Sequence, residues 1–150
     1  MNAIELKLNQ AVVAPLLDFI APVLKRLEHE AAIALPLAEE DEELAEIWCH
    51  GLIHTQIDDC RHLMGIFGDD FRDSGLVVID IAEVDRVLRA ASAIRLKVRE
   101  VLLTHIPDSA LEGADFDFES LPEPDKTGFE VYLFFATFQE VIIRHLDEGR

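Results

Sequence analysis

The chain has 150 residues, 50% hydrophobic and 29% charged, a composition typical of one globular domain and unlike that of a disordered chain. Its net charge of −17, from 30 acidic and 13 basic residues, argues against nucleic acid and anionic membranes as partners, because both are bound through lysine and arginine. The same charge favours solubility or attraction to a basic protein surface. We therefore expect a single domain covering residues 1–150.

The two cysteines and the N-terminal region indicate the compartment. Cys49 and Cys60 are eleven positions apart, about 16.5 Å along one helix, which is too far for a disulfide. Reduced thiols are typical of the cytosol. The opening MNAIELKLNQ lacks the basic start and apolar core of a signal peptide. The longest apolar stretch, residues 11–24, contains Asp18 and two prolines and is too short to span a bilayer. We expect a cytoplasmic protein without membrane association.

The first elements predicted are a short strand and an interrupted helix. AIELKL (3–8) alternates apolar and polar residues as a strand does, and Asn9 is suited to cap a helix. Pro15 fits the first turn of that helix, whereas Pro22 should break or kink it, because proline lacks an N–H and clashes with the preceding turn. The apolar face of this helix comprises Val12, Leu16, Phe19, Ile20, Val23, Leu24 and Leu27. Pro36 marks the end of the segment.

A second helix begins near the acidic run EEDEE (39–43), whose carboxylates interact favourably with the positive end of a helix dipole. It ends between Met64 and Phe67. GDDFRDSG (68–75) has the composition of a turn but lacks the ligand spacing of a calcium loop.

A second strand and a third helix follow. LVVI (76–79) is a short apolar run typical of a strand. Asp80 and Glu83 have the spacing of a capping box, so we expect a third helix from there to about Thr104.

The last part of the chain predicts a long acidic loop and a closing helix. Within the loop, residues 108–125, Phe116 and Phe118 are expected to bury their rings. The helix should run from Lys126 to Leu146 and is apolar round most of its circumference, which predicts the centre of the core. Its bulk is Phe129, Phe134, Phe135 and Phe138, and its narrow polar arc holds Glu130, Thr137, Glu140 and Arg144. Four helices and two short strands predict a mainly α, four-helix bundle-like domain with a small two-stranded β element.

Three of the six histidines lie in WCHGLIHTQIDDCRH (48–62). His50, His54, Asp58 and His62 follow at steps of four and form a slanting row along a polar flank. His50 with His54, or His54 with Asp58, could chelate a divalent metal, but a catalytic metal needs a third ligand from another helix, and the sequence selects none. We expect no metal or cofactor; a metal-binding bundle or metal-dependent hydrolase using His50, His54 and Asp58 is the alternative.

Another face of the same predicted helix is apolar. The arc expected to be buried comprises Trp48, Leu52, Ile53, Ile57, Cys60, Leu63 and Met64, with Cys49 inside it. Gly51 within the helix either allows close packing or marks a bend.

Arg95 lies on the apolar stripe of the third helix, with Ile81, Val84, Leu88, Ala91, Val98 and Leu102. The other cations of this helix, Arg86, Arg89, Lys97 and Arg99, are expected to be solvated. A buried guanidinium stays charged and needs acceptors. We predict that Arg95 is at least half buried against Asp58, Asp59, Glu140 or a helix-end carbonyl. Its role is a structural pairing or, alternatively, an anion site.

Three segments together carry a resemblance: IELKLNQ (4–10), VVIDIAEVDRVLRAASAIRLKVRE (77–100) and FEVYLFFATFQEVIIRHLD (129–147). They resemble a family of small bacterial helical domains of unknown function whose genes often neighbour the gene of the Clp protease adaptor. The residues specific in type are Asp80 at the helix start and Arg95–Leu96. The resemblance implies no catalytic residue, because that family carries no established activity, and it permits a link to regulated proteolysis.

No glycine loop for nucleotides and no activated nucleophile can be recognised, and whether the chain is an enzyme stays open. We predict a cytosolic protein-interaction or regulatory domain that binds another protein or self-associates.

Overall fold

The computed structural model describes residues 2–30, 42–104, 106 and 118–148. In chain order, the elements are β1 (Ala3–Lys7), α1 (Gln10–Phe19), α2 (Ala21–Leu27), α3 (Glu42–Ile66), α4 (Asp69–Ser74), β2 (Leu76–Asp80), α5 (Val84–Leu102) and α6 (Glu123–Glu148), with 3₁₀ turns at Ile81–Glu83 and Phe118–Ser120. The helices pack around one apolar core, and the strands form a two-stranded antiparallel sheet. The predicted mainly α fold with a small β element is confirmed.

The two strands form a ribbon that lies on the helices. Ile4 pairs with Ile79 and Leu6 with Val77, and none of these four side chains is more than 8% exposed. Their alternation places them all on the core side of the ribbon. The two strands predicted from the sequence therefore pair with each other, and the helices cover their apolar face.

The predicted cap and break of the first helical segment are confirmed. Asn9 Oδ1 accepts a hydrogen bond from the Ala11 N–H at 3.1 Å, α1 ends at Phe19, and α2 begins with Pro22 in its first turn. Proline is tolerated at a helix start, where its missing N–H has no intrahelical partner anyway.

Two expectations for this segment are wrong. Pro15 lies inside α1, beyond its first turn, and Val12 is 59% exposed, while Val13 and Leu17 are buried. The physical reason is that α1 is a separate helix whose buried face is set by its contacts with α4 and α6. It does not continue the face of α2.

The stretch 68–75 was expected to be a turn, but Asp69–Ser74 form the short helix α4. Phe71 is fully buried and makes an edge-to-face contact with Phe67, with ring centroids 5.2 Å apart. Gly75 ends the helix with φ 78°, and a Cβ there would collide with the Leu8 carbonyl oxygen. Burial of one aromatic ring therefore outweighs turn-forming composition.

Asp80 caps the next element as predicted, because its Oδ1 accepts a hydrogen bond from the backbone of the following 3₁₀ turn at 2.9 Å. Glu83 does not complete a capping box; its carboxylate accepts a hydrogen bond from Arg86 at 3.1 Å. Helix α5 begins after that turn and ends at Leu102 rather than Thr104.

Helix α6 begins at Glu123 and ends at Glu148, slightly longer at both ends than predicted. Phe129, Phe135 and Phe138 are at most 8% exposed, and Phe134 is partly buried, so the aromatic core is confirmed. The predicted polar arc, Glu130, Thr137, Glu140 and Arg144, is exposed.

Phe118 packs against Phe129, with centroids 5.8 Å apart, as the sequence predicted. Phe116, Pro36 and residues 39–41 lie outside the described residues. Within the part of the chain that the structure describes, no helix combines the length and apolarity needed to cross a membrane.

Candidate functional site

An ion pair between α3 and α5 sets how these helices align. Arg89 Nε and Nη2 donate to the two carboxylate oxygens of Asp59 at 2.9 and 3.0 Å, and Arg86 Nε lies 3.6 Å from the same carboxylate. These hydrogen bonds raise the pKa of Arg89. Arg99 donates to the Leu103 carbonyl. The expectation that these arginines are solvated is confirmed for Arg89, whose side chain is 53% exposed, whereas Arg86 and Arg99 are partly buried.

The buried cation of α5 is Lys97, not Arg95. Lys97 is 1% exposed, and its Nζ lies 2.9 Å from Glu100 and 3.3 Å from Glu30. Glu30 also accepts hydrogen bonds from Arg26, and these, together with Lys97, lower the pKa of its carboxyl group. The expectation that Lys97 is solvated overlooked that it continues the buried face of Ala90 and Ala93.

Arg95 is partly buried between α5 and α6, as predicted, but its partners are neutral. Nη1 donates to Gln139 Oε1 at 2.7 Å, Nη2 lies 3.3 Å from the Tyr132 hydroxyl, and Cζ lies 4.9 Å from the centre of that ring. The carboxylates expected to bind it, Asp58, Asp59 and Glu140, instead lie beside His54, Arg89 and Arg144. The predicted carboxylate pairing is wrong because helix α6 presents an amide and a phenol at this level.

The histidine row lies on an exposed flank of α3. His54 Nε2 is 3.8 Å from Asp58 Oδ2, with side chains 81% and 47% exposed, His50 is exposed, and His62 is partly buried. Among the residues that the structure describes, no group of three or more His, Cys, Asp and Glu side chains could hold a metal ion. Metal binding by His50, His54 and Asp58 stays a prediction.

The first half of α3 carries an exposed apolar surface, and the sequence had placed two of its residues, Trp48 and Leu52, in the core. Ile47 is 61% exposed, Trp48 53% and Leu52 42%. In contrast, Cys60, Leu63 and Phe67, at the other end of the same helical region, are at most 8% exposed. Periodicity shows which residues share a face but not whether another element covers it. We call Ile47, Trp48 and Leu52 the α3 apolar strip.

A cleft of about 140 Å³ lies between α2 and α3, lined in part by Leu24, Leu27, Ile57 and Cys60. Ligand sites generally measure roughly 300–1,000 Å³, so this cleft is too small for a nucleotide or a large cofactor. Burial raises the pKa of the Cys60 thiol to about 11, and the neighbouring Asp59 charge adds to this. The thiol is therefore protonated at neutral pH and is not an activated nucleophile.

Comparison with family models, with curated proteins and with solved structures yields no match for this chain. The resemblance to the domains encoded beside the Clp protease adaptor stays a prediction. The candidate site therefore depends on geometry alone, and the feature of the described residues that most clearly differs from an ordinary surface is the α3 apolar strip.

Proposed function

We propose that this chain is a cytosolic protein-interaction domain that binds its partner through the α3 apolar strip. The observation that carries the proposal is the exposure of neighbouring large side chains, Ile47 at 61%, Trp48 at 53% and Leu52 at 42%. Single exposed hydrophobic residues are ordinary, but contiguous ones often mark binding surfaces. Tryptophan is enriched among the residues that dominate binding energy at interfaces.

The strip is contiguous because of helix geometry. Trp48 and Leu52 are one turn apart on the same side of α3, and Leu44, which precedes Ile47 by three residues and Trp48 by four, lies beside both. Leu44, one turn before Trp48, is also 42% exposed. A partner helix or loop could therefore cover several large side chains at once, as recognition of one helix face requires.

The resemblance to domains encoded beside the Clp protease adaptor gene leads us to propose regulated proteolysis as the setting. The corresponding test uses the purified adaptor as the partner. Binding that is lost in Ile47→Glu would support this setting. An adaptor that does not bind the wild-type chain would argue against it, without affecting the proposed use of the strip.

Trp48 is the only tryptophan of the chain, so its fluorescence reports on the strip directly. We expect emission typical of a water-exposed indole and efficient quenching by acrylamide, because the side chain is more than half exposed. Blue-shifted emission that acrylamide cannot quench would show that the strip is covered in the free protein, and would contradict the proposal.

The functional test compares three proteins as bait in a native lysate: wild type, Ile47→Glu, and Ile143→Glu as the matched control. Ile143 is 48% exposed on α6, so both changes place a charge at an exposed isoleucine. A partner retained by wild type and Ile143→Glu but lost by Ile47→Glu supports the proposal. Light scattering of the same proteins tests self-association. If all three proteins retain the same partners and have the same molar mass in solution, the proposal is contradicted.

A further inference from the structure

Gly51 lies between the side chains of the α3 apolar strip, one turn after Ile47 and one residue before Leu52. A Cβ built at Gly51 would meet no described heavy atom within 4 Å. Packing among the described residues therefore does not explain a glycine here, although glycine destabilises a helix interior relative to alanine. A glycine facing outward lets another backbone approach the helix closely.

The sequence around the strip is strongly acidic. Residues 27–60 contain ten acidic residues and no lysine or arginine. Of these acids, Glu43 and Glu46 are exposed in the first turns of α3. Complementary charge steers association and selects partners, whereas like charges across an interface oppose it. A second copy of this chain would bring the same carboxylates to the surface that it covers, so a basic partner is favoured over self-pairing.

The alignment of α3 and α5 adds one more apolar side chain. Gln56 of α3 and Lys97 of α5 both contact Glu30, and Arg89 binds Asp59, so the two helices run antiparallel. Leu96 lies seven residues beyond Arg89, and Leu52 lies seven residues before Asp59. Both leucines therefore lie about 10.5 Å from the Arg89–Asp59 pair, towards the same end of the two helices, and they are 44% and 42% exposed.

Glu100 continues this edge of α5, and its carboxylate accepts a hydrogen bond from Lys97 Nζ at 2.9 Å. It lies one turn beyond Leu96, and its side chain is 56% exposed. The strip therefore has carboxylates on both sides, from α3 and from α5.

From these observations we propose that the strip binds a basic amphipathic helix, which packs closely over Gly51 with its apolar residues on Trp48 and Leu52 and its lysines or arginines facing the flanking carboxylates. This inference rests on the proposed function and names the partner class. Such a helix presents apolar residues at i, i+3, i+4 and i+7, the pattern by which helices are recognised in grooves.

The test uses the full chain and three synthetic peptides of about 18 residues, roughly five helical turns. The first has leucines on one face and lysines on the flanks. The second replaces every lysine by glutamate, and the third scrambles the first so that no apolar face remains. None contains tryptophan, so Trp48 emission and the anisotropy of a labelled peptide both report binding.

We expect the basic amphipathic peptide to bind and to shift Trp48 emission to the blue, and the other two to bind at least about tenfold more weakly, because each lacks the matching charge or the apolar face. Raising NaCl from about 50 to 500 mM should weaken binding, since salt screens exposed charges. Equal binding of the scrambled peptide would mean attraction by net charge alone and would overturn the inference.

Gly51→Ala separates partner contact from protein stability. It should raise the midpoint of urea unfolding, because alanine favours a helix. It should nevertheless weaken binding of the basic peptide about tenfold, because the new methyl group prevents the peptide backbone from packing closely on α3. Gly65→Ala is the matched control. Gly65 also lies in α3 with no described atom near its Cβ, so replacing it by alanine should not destabilise the protein and should leave binding unchanged. If the Gly51→Ala protein binds the basic peptide as tightly as wild type does, the inference that the partner helix packs closely over Gly51 is wrong.

The two proposals fail in different ways. If the basic peptide does not bind, but wild type retains a lysate partner or a dimer that Ile47→Glu loses, the partner class is wrong and the proposed function stands. If Ile47→Glu changes neither the affinity for the peptide, nor the proteins retained from the lysate, nor the molar mass in solution, both proposals are wrong.

Discussion

Asp59 of α3 accepts two hydrogen bonds from Arg89 of α5, at 2.9 and 3.0 Å, although Asp59 is 4% exposed and the Arg89 side chain is 53% exposed. A buried carboxylate that loses its partner destabilises the folded state, while exposure of the arginine weakens the pair through solvent screening. This pair therefore contributes to stability and also determines which residues of α3 and α5 lie side by side.

We expect Arg89→Ala to lower the free energy of unfolding by about 1–3 kcal/mol, because Arg86 remains 3.6 Å from Asp59 and compensates in part. Urea unfolding followed by circular dichroism measures this. Arg144→Ala is the control, since Arg144 pairs with Glu140 on the exposed face of α6 and its loss should change stability by no more than about 0.5 kcal/mol. Equal effects of the two changes would contradict the prediction.

Lys97→Met removes a buried charge and keeps most of the buried volume. Its partners Glu30 and Glu100 have side chains 40% and 56% exposed, so both stay hydrated without it. We expect the free energy of unfolding to change by no more than about 1.5 kcal/mol, whereas Lys97→Ala should lower it by about 2–4 kcal/mol because a cavity remains. A methionine variant as unstable as the alanine variant would show that the charge itself is needed.

The raised pKa of Cys60 predicts a pH-dependent reactivity. Burial raises it from 9.0 to about 11, so the folded state holds this proton more tightly than the unfolded state. The resulting stabilisation is complete below pH 9.0 and is lost as pH rises towards about 11. At pH near 7, Ellman's reagent should modify Cys49, which is partly exposed, well before Cys60. The Cys49→Ser and Cys60→Ser variants assign the two rates, and a fast phase from Cys60 would contradict this.

Gln139 connects α6 to α5 through three hydrogen bonds: it accepts one from Arg95 at 2.7 Å and donates to the Leu88 carbonyl at 2.9 Å and to Ser92 Oγ at 2.7 Å. Gln139→Leu should lower the free energy of unfolding by about 2–3 kcal/mol, because these partly buried groups lose their partner. Arg95→Met should cost about 1 kcal/mol or less, because it also removes the buried Nε that has no hydrogen-bond partner among the described residues.

The same Arg95→Met variant distinguishes the structural role of Arg95 from an anion site. A structural role predicts that acetate or phosphate shifts the Tm of wild type and variant equally. An anion site predicts a rise in Tm in wild type that the variant lacks.

Elemental analysis tests the metal hypothesis. His54 and Asp58 lie 3.8 Å apart with side chains 81% and 47% exposed, so together they offer two hydrated ligands. Two such ligands should bind a divalent ion weakly, and we expect any metal to be lost on desalting, with the same content in His54→Ala. Stoichiometric zinc, iron or manganese that disappears in His54→Ala would instead support a metal-binding bundle. It would also argue against the interaction proposal.

Local signals in the sequence predicted most elements well. Asn9 caps α1, Asp80 caps the 3₁₀ turn before α5, and Pro22 separates α1 from α2, because caps and prolines act on the backbone of their immediate neighbours. Among the described residues, the α-helix that the sequence missed is α4, where the buried ring of Phe71 stabilises a helix in a stretch rich in turn-forming residues.

The candidate site was predicted less well. The sequence singled out Arg95 and the histidine row, whereas the structure buries Lys97 and exposes Trp48. Both outcomes depend on which helices lie beside α3 and α5, and a helical pattern does not contain that information.

The amino-acid sequence alone determined that this is an acidic, mainly helical protein with an aromatic C-terminal helix in its core, because composition, periodicity and capping act over a few residues. Only the tertiary structure decided which polar groups meet, such as Asp59 with Arg89, and which apolar face stays uncovered. The reason is that these contacts join residues far apart in the chain, 30 positions in the case of Asp59 and Arg89, so they exist only once the helices have packed.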